Sequence, residues 1–173
     1  LNDGYYDDAV EKIGNHKPSG SLRGGKYSLF EAGTRVPFIT FWKGKIKPRT
    51  SDKLVSQIDF LNSLASLIGS NLRSKDGKDL SNELFKNNGK GREDLIIEAQ
   101  TKTAYRNNNW VLIPPYHGPK ITSNTNIELG NENYYQLYNL NEDISQENNL
   151  AENYPLKLKQ MIEQYNNIIQ KKK

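Results

Sequence analysis

Val36-Pro37-Phe38-Ile39-Thr40-Phe41-Trp42 is the run that most restricts how this chain can fold. A short apolar stretch rich in aromatic and β-branched side chains reads as a buried strand, with Pro37 at its entry. The segment feeding it begins at Leu22. Arg23 and Lys26 bracket the pair Gly24-Gly25, and Glu31, Gly33 and Arg35 follow. Glycine lets a backbone approach a ligand closely or take positive φ. A lysine beside such a turn is a compact point charge suited to an anionic oxygen. Leu22 to Trp42 therefore reads as a cationic loop leading into a core strand. On these residues alone, a surface turn with two solvated cations is the commoner structure.

The 173 residues allow one domain with a fair core. Hydrophobic content of 35% and charged content of 25% are those of a soluble globular chain. The net charge of +4 owes much to Lys171-Lys172-Lys173, so no general polyanion-binding surface is indicated. The tyrosines are scattered and build no stacking ladder, which argues against a single-strand nucleic-acid platform, and no nucleic-acid partner is expected. With no cysteine, the chain has no disulfide, no Cys-ligated zinc and no cysteine nucleophile. No apolar run approaches the roughly 20 residues of a membrane span, and no signal segment opens the sequence. Leu1-Asn2-Asp3-Gly4 reads as mid-loop, so the chain is expected to be a piece of something longer.

Leu1 to Ser21 is a polar loop, with a helical turn expected at residues 8–13. His16 stands in it, ten residues before Lys26. After the strand at 36–42, residues 54–58 read as a second extended run. Asp59 is a fitting N-cap for a helix from Phe60 to Ile68, with Gly69 as its stop. Leu61, Leu64, Ala65 and Ile68 share one face of it, expected to be core. Ser70 to Gly91 is linker-like, with a helical turn at 80–85. Strands are expected at 94–100, 103–106, 110–113 and 134–140. Asn107-Asn108-Asn109 marks a hairpin, because asparagine tolerates positive φ. Tyr116 to Asn133 is a long polar loop, the kind that is usually functional or mobile. Pro155 suits the first turn of a helix carrying Leu158, Met161, Ile162, Tyr165 and Ile169 at helical spacing.

The pattern Gly25-Lys26-x-x-x-Phe30-Glu31-x-Gly33-x-Arg35-x-Pro37-Phe38 resembles the lysine-bearing segment of the type I sulfatases (arylsulfatases), which have an alkaline-phosphatase-like fold. Ser51 to Gly69 is similar to that family's next strand-to-helix unit. Gln136-Leu-Tyr-Asn-Leu-Asn-Glu-Asp143 followed by Glu147-Asn-Asn-Leu-Ala151 resembles its C-terminal signature. The three lie in the family's order, over nearly the whole chain. The implied fold class is α/β: the C-terminal end of an alkaline-phosphatase-like sandwich, then a small antiparallel sheet with a C-terminal helix. Residues 1–70 would close the large domain, 71–93 would link, and 94–173 would form the small subdomain.

The resemblance implies hydrolysis of sulfate esters on sulfated carbohydrate, in the bacterial periplasm or at the cell surface. The family uses a formylglycine nucleophile made in a Cys/Ser-x-Pro-x-Arg motif, and a calcium ion held by oxygen ligands. No proline in this chain stands in that motif. The calcium ligands are likewise expected from the missing N-terminal part of the same protein, so no metal ligand is assigned here. Lys26 matches the family lysine that contacts the sulfate and the scissile oxygen. His16 and Arg23 are candidate contacts to the sugar, and His117 a candidate for the rim of the cleft. Glu31 and Arg35 read as a structural pair or as backbone anchors rather than catalysts. Ala32 stands where the family usually has glycine, which puts the tightness of that turn in question. The 173 residues alone are expected to be inactive. Two other readings stay open: a non-catalytic glycan-binding β module presenting Trp110, Tyr116 and His117, and a phosphoester hydrolase of the same superfamily.

Overall fold

The computed structural model describes Lys12 and residues 14–86, 88–123 and 125–170. The turn expected at 8–13 lies outside these, Lys12 apart. Contacts divide the chain into two compact units: Leu1–Val36 with Leu95–Lys173, and Pro37–Asp94.

The first unit is built on a four-stranded sheet in the order β1 (Asp94–Ala99), β2 (Lys102–Asn107), β3 (Trp110–Ile113), β4 (Gln136–Asn139). These are the four strands expected from the sequence, within two residues at each end. The β2–β3 hairpin pairs Asn107 with Trp110, and Asn108 takes φ 51°, the left-handed conformation that asparagine tolerates. Strand periodicity then sends alternate side chains to opposite faces. Ala104, Val111, Ile113 and Tyr138 join Leu29 and Phe30 in one cluster. Tyr105, Leu112 and Leu137 join Ala151 and Met161 in the other. The second cluster is covered by helix α2 (Pro155–Gln170), through Leu158, Met161, Ile162, Tyr165 and Ile168. The first is covered by the segment that carries Lys26. Both faces of this small sheet are therefore buried.

Tyr138 sits in the first cluster, edge-to-face with Phe30 at 6.0 Å between centroids, its hydroxyl donating to Gln136 Oε1 at 2.9 Å. Burial raises its phenol from 10.0 to about 12. A raised acid pKa means that the stabilisation is fully present below pH 10 and is lost as pH climbs towards about 12. The loss from this one group is about 2–3 kcal/mol. The thermal midpoint should fall steeply over that window and less steeply in Tyr138→Phe, which cannot ionise. Some slope should survive, because burial also raises Tyr165 to about 12. An identical slope in Tyr138→Phe would assign the loss to other groups.

The second unit corrects several expectations. Residues 36–42 form no strand, and Val36, Phe38, Ile39, Phe41 and Trp42 are exposed, Ile39 by 88%. A strand needs a paired edge, and no described strand runs alongside this stretch. Residues 54–58 are not a strand either. They run as irregular chain into a 3-10 turn, Gln57–Asp59, which leads directly into helix α1 (Phe60–Leu67). Gly69, at φ 73°, follows its end, as expected.

The face of α1 that is buried is the polar one. Asn62 and Ser63 are buried with Ala65, whereas Leu61, Leu64 and Ile68 are exposed. The reason is hydrogen bonding. Asn62 Oδ1 accepts from Ser74 N at 2.6 Å and Ser63 Oγ from Leu80 N at 2.9 Å. Asp59 does not cap α1; its carboxylate accepts from Lys78 N at 2.8 Å, Ser56 N at 3.1 Å and Arg92 Nε at 2.9 and 3.0 Å. The stretch read as linker is thus held against α1 by satisfied buried polar groups. The helical turn expected at 80–85 is a π turn, Asn82–Lys86, and Arg49 bonds the Glu83 carbonyl and carboxylate.

Candidate active site

Leu29 and Phe30 are fully buried on the sheet, and they fix the loop that precedes them. That loop folds around Ser28. Its amide donates to Gly25 O at 2.9 Å, and its Oγ accepts from Phe30 N at 3.2 Å. A Cβ on Gly24 would stand 2.3 Å from Ser28 Oγ, and one on Gly33 would stand 2.1 Å from Ser28 O. Only glycine fits at these two places. Ala32 is half-buried and donates its amide to Arg23 O at 3.0 Å, so the family's missing glycine leaves the turn closed.

Lys26 and Tyr27 are the two corner residues of the Gly25–Ser28 turn. Lys26 is exposed, and its Nζ lies 4.9 Å from the centroid of the Tyr27 ring. Among the described residues no carboxylate pairs with Lys26. Its ammonium therefore meets no competing anion among the described residues.

Arg23 is placed differently. Its Nε and Nη2 both donate to Glu128 at 2.8 Å, and its Nη1 donates to Gln146 O at 2.6 Å. The guanidinium also lies 4.2 Å from the Phe30 ring centroid. The bidentate bond from Arg23 holds the Glu128 carboxyl below its usual range, and the same bond raises Arg23. Arg23 thus joins the Lys26 loop to the long loop after β3 and to the chain beyond β4. It also lines a cavity of about 110 Å³ with Lys120, Glu128 and Glu132.

His16 and His117 are both exposed. The long loop that carries His117 folds back on itself through an isolated bridge, Ile121 with Glu128, and through Tyr116 N donating to Glu132 O at 2.7 Å. It is joined to the lysine loop where Leu29 N donates to Leu129 O at 3.1 Å. Lys102 Nζ donates to His117 O at 3.0 Å and to Asn131 Oδ1 at 2.6 Å, and Lys102 lines a small depression together with Tyr27. Tyr27 of the Lys26 turn and Leu129 and Asn131 of the long loop thus line one depression. Trp110 has its ring edge-to-face with Tyr154 at 5.4 Å, packed towards α2.

Glu31 is the residue whose partners the sequence did not reveal in full. It is buried, pairs with Arg35 at 3.4 Å as expected, and pairs more closely with Arg106 of β2 at 3.0 Å. Its amide donates to Gln146 Oε1 at 2.8 Å. No spacing signal announces Arg106 or Gln146. Among the described residues, no three His, Cys, Asp or Glu side chains gather as metal ligands.

Residues 5–70 match the Sulfatase family model, a span that includes Lys26. The chain is 39% identical over 167 residues, 94% of its length, to an N-acetylgalactosamine-6-O-sulfatase of Bacteroides thetaiotaomicron. It is 46% identical over 65 residues, 36% of its length, to arylsulfatase A of Bos taurus. It spans about a third (33%) of the first relative, in that protein's C-terminal part, and 13% of the second. A solved structure connected with the metabolism of multiple glycosaminoglycans by Bacteroides thetaiotaomicron superposes with a TM-score of 0.87 at 37% identity. That superposition covers 95% of this chain and 35% of the other.

Proposed function

We propose, from a chain that matches the C-terminal part of the sulfatases in sequence and in fold, that the intact protein hydrolyses sulfate esters of carbohydrate. The observation that carries this is the 39% identity over 94% of the chain to an N-acetylgalactosamine-6-O-sulfatase. A 6-sulfated N-acetylhexosamine is accordingly the first substrate to try. In this reading Lys26 is the residue that acts. Its ammonium meets the sulfate and the oxygen that leaves with the sugar. Hydrolysis breaks the S–O ester bond, and negative charge grows on that oxygen as it departs. A fixed cation beside it stabilises the transition state more than the ground state. The His117 loop bounds the sugar side and His16 supplies a further contact. Arg23 holds the lysine loop in place through Glu128 and Gln146.

Among the described residues no three candidate ligands come together for a calcium ion. Nor does the sequence contain the nucleophile motif or a cysteine. Calcium and formylglycine are assigned to the rest of the protein. So is the partner for the apolar surface of the second unit. Phe41, Trp42, Leu61, Leu64 and Ile68 are exposed here and would be covered in the intact molecule, with residues 1–70 closing its large domain. Because sulfated carbohydrate lies outside the cell, this reading has the enzyme working in the bacterial periplasm or at the cell surface.

The test is release of inorganic sulfate from N-acetylgalactosamine 6-sulfate by the intact protein. Faster turnover of the matching phosphate ester would favour the phosphoester reading. Glycan binding without turnover of either would favour the binding module. The 173 residues alone should release no sulfate, and should bind a hydrophobic dye or self-associate. A cooperative, monomeric unfolding transition for them would count against the uncovered apolar surface.

A further inference from the structure

Tyr27 adopts φ 74°. This is the left-handed region, which bulky side chains rarely enter. In a turn with positive φ at its third residue, glycine or asparagine is the ordinary occupant. The conformation is held from both sides. Ser28, Leu29 and Phe30 are buried immediately after it, and the Gly24 and Gly33 approaches lock Ser28 just below it. Backbone strain of this kind persists only where the surroundings over-determine it, and it collects at functional sites.

The conformation places the ring under the Lys26 ammonium, 4.9 Å from the centroid. A lysine has four rotatable bonds and wanders when exposed. An aromatic face attracts the cation through its quadrupole and narrows that wandering. A carboxylate would hold the ammonium more tightly, but it would cancel the charge that an incoming sulfate needs. A neutral ring holds the cation and leaves its charge available.

We infer that Tyr27 is a positioning residue for Lys26: its strained backbone and neutral ring hold the lysine ammonium aimed at the sulfate without quenching it. This rests on the reading of Lys26 as the sulfate-contacting residue. The ring acts through its face, so the hydroxyl is dispensable. Glycine at position 27 relieves the backbone and removes the ring.

The experiment uses the intact protein with N-acetylgalactosamine 6-sulfate, and compares Tyr27→Phe, Tyr27→Gly, Lys26→Ala and the Lys26→Ala/Tyr27→Gly double variant. Tyr27→Phe should keep kcat within about twofold, and Tyr27→Gly should lower it about three- to tenfold with a smaller change in KM. The thermal midpoint of Tyr27→Gly should not fall. In the Lys26→Ala background, Tyr27→Gly should have no further effect, because the two act as one unit. Wild-type kcat in Tyr27→Gly beside an inactive Lys26→Ala overturns the role of Tyr27 alone. So does equal damage in Tyr27→Phe, or an additive loss in the double variant, or a lowered thermal midpoint in Tyr27→Gly. Unchanged turnover in Lys26→Ala removes the reading of Lys26 itself, and Tyr27 with it.

Discussion

Lys26→Ala in the intact protein is expected to lower kcat for a sulfate ester by about 10²–10³-fold, the usual cost of deleting one preorganised group at a developing negative charge. The fold should be untouched. Lys26 is exposed at the corner of a turn, and no backbone or carboxylate partner among the described residues depends on it. Circular dichroism and the thermal midpoint should therefore match the unmodified protein while kcat and kcat/KM fall together. A rise in KM alone would mean that the lysine binds sulfate equally in ground and transition states. Unchanged turnover would show that the lysine takes no part.

Glu31→Ala should have a large effect on stability. Glu31 is buried to 3% exposure, and Arg106, its closer partner, to 13%. Removing the carboxylate leaves the Arg106 guanidinium buried without its counter-charge. Breaking a buried pair in this way costs about 3–5 kcal/mol. Glu31→Gln should recover part of that, through hydrogen bonds without the charge. The effect should also reach the candidate active site, because the same carboxylate ties the lysine loop to β2 through Arg106, while the backbone bond to Gln146 remains. A thermal midpoint within a degree or two of the parent would mean that Arg106 finds another partner and that the loop is held by Arg23 and Leu29.

How much of this was legible in the sequence depends on the range of the interaction. The β2–β3 hairpin follows from Asn107-Asn108-Asn109 between two short strand-forming runs, and α2 from Pro155 and its apolar spacing. Both are local signals, and both elements appear where the residues place them. The Lys26 loop was legible as a motif, and its glycines do what glycines at close approaches must do. The failures come from the same kind of residue pattern. The run at 36–42 is as apolar as any core strand, yet no described strand pairs with it. The Leu61-Leu64-Ile68 stripe of α1 has helical spacing, yet it faces outward. Periodicity says which side chains share a face; it does not say which face finds a cover.

The sequence by itself determined the strands of the small sheet, the β2–β3 hairpin, the covering helix and the cationic glycine loop, because turn chemistry and periodicity act between residues a few positions apart. Only the tertiary structure decided what those residues meet. Arg23 bonds Glu128 across 105 positions and Gln146 across 123, and Glu31 finds Arg106 across 75. It also decided that α1 buries Asn62 and Ser63 rather than its leucines. The backbone of residues 74–80 satisfies those polar groups at hydrogen-bonding distance, and no pattern along the helix encodes where that backbone will run.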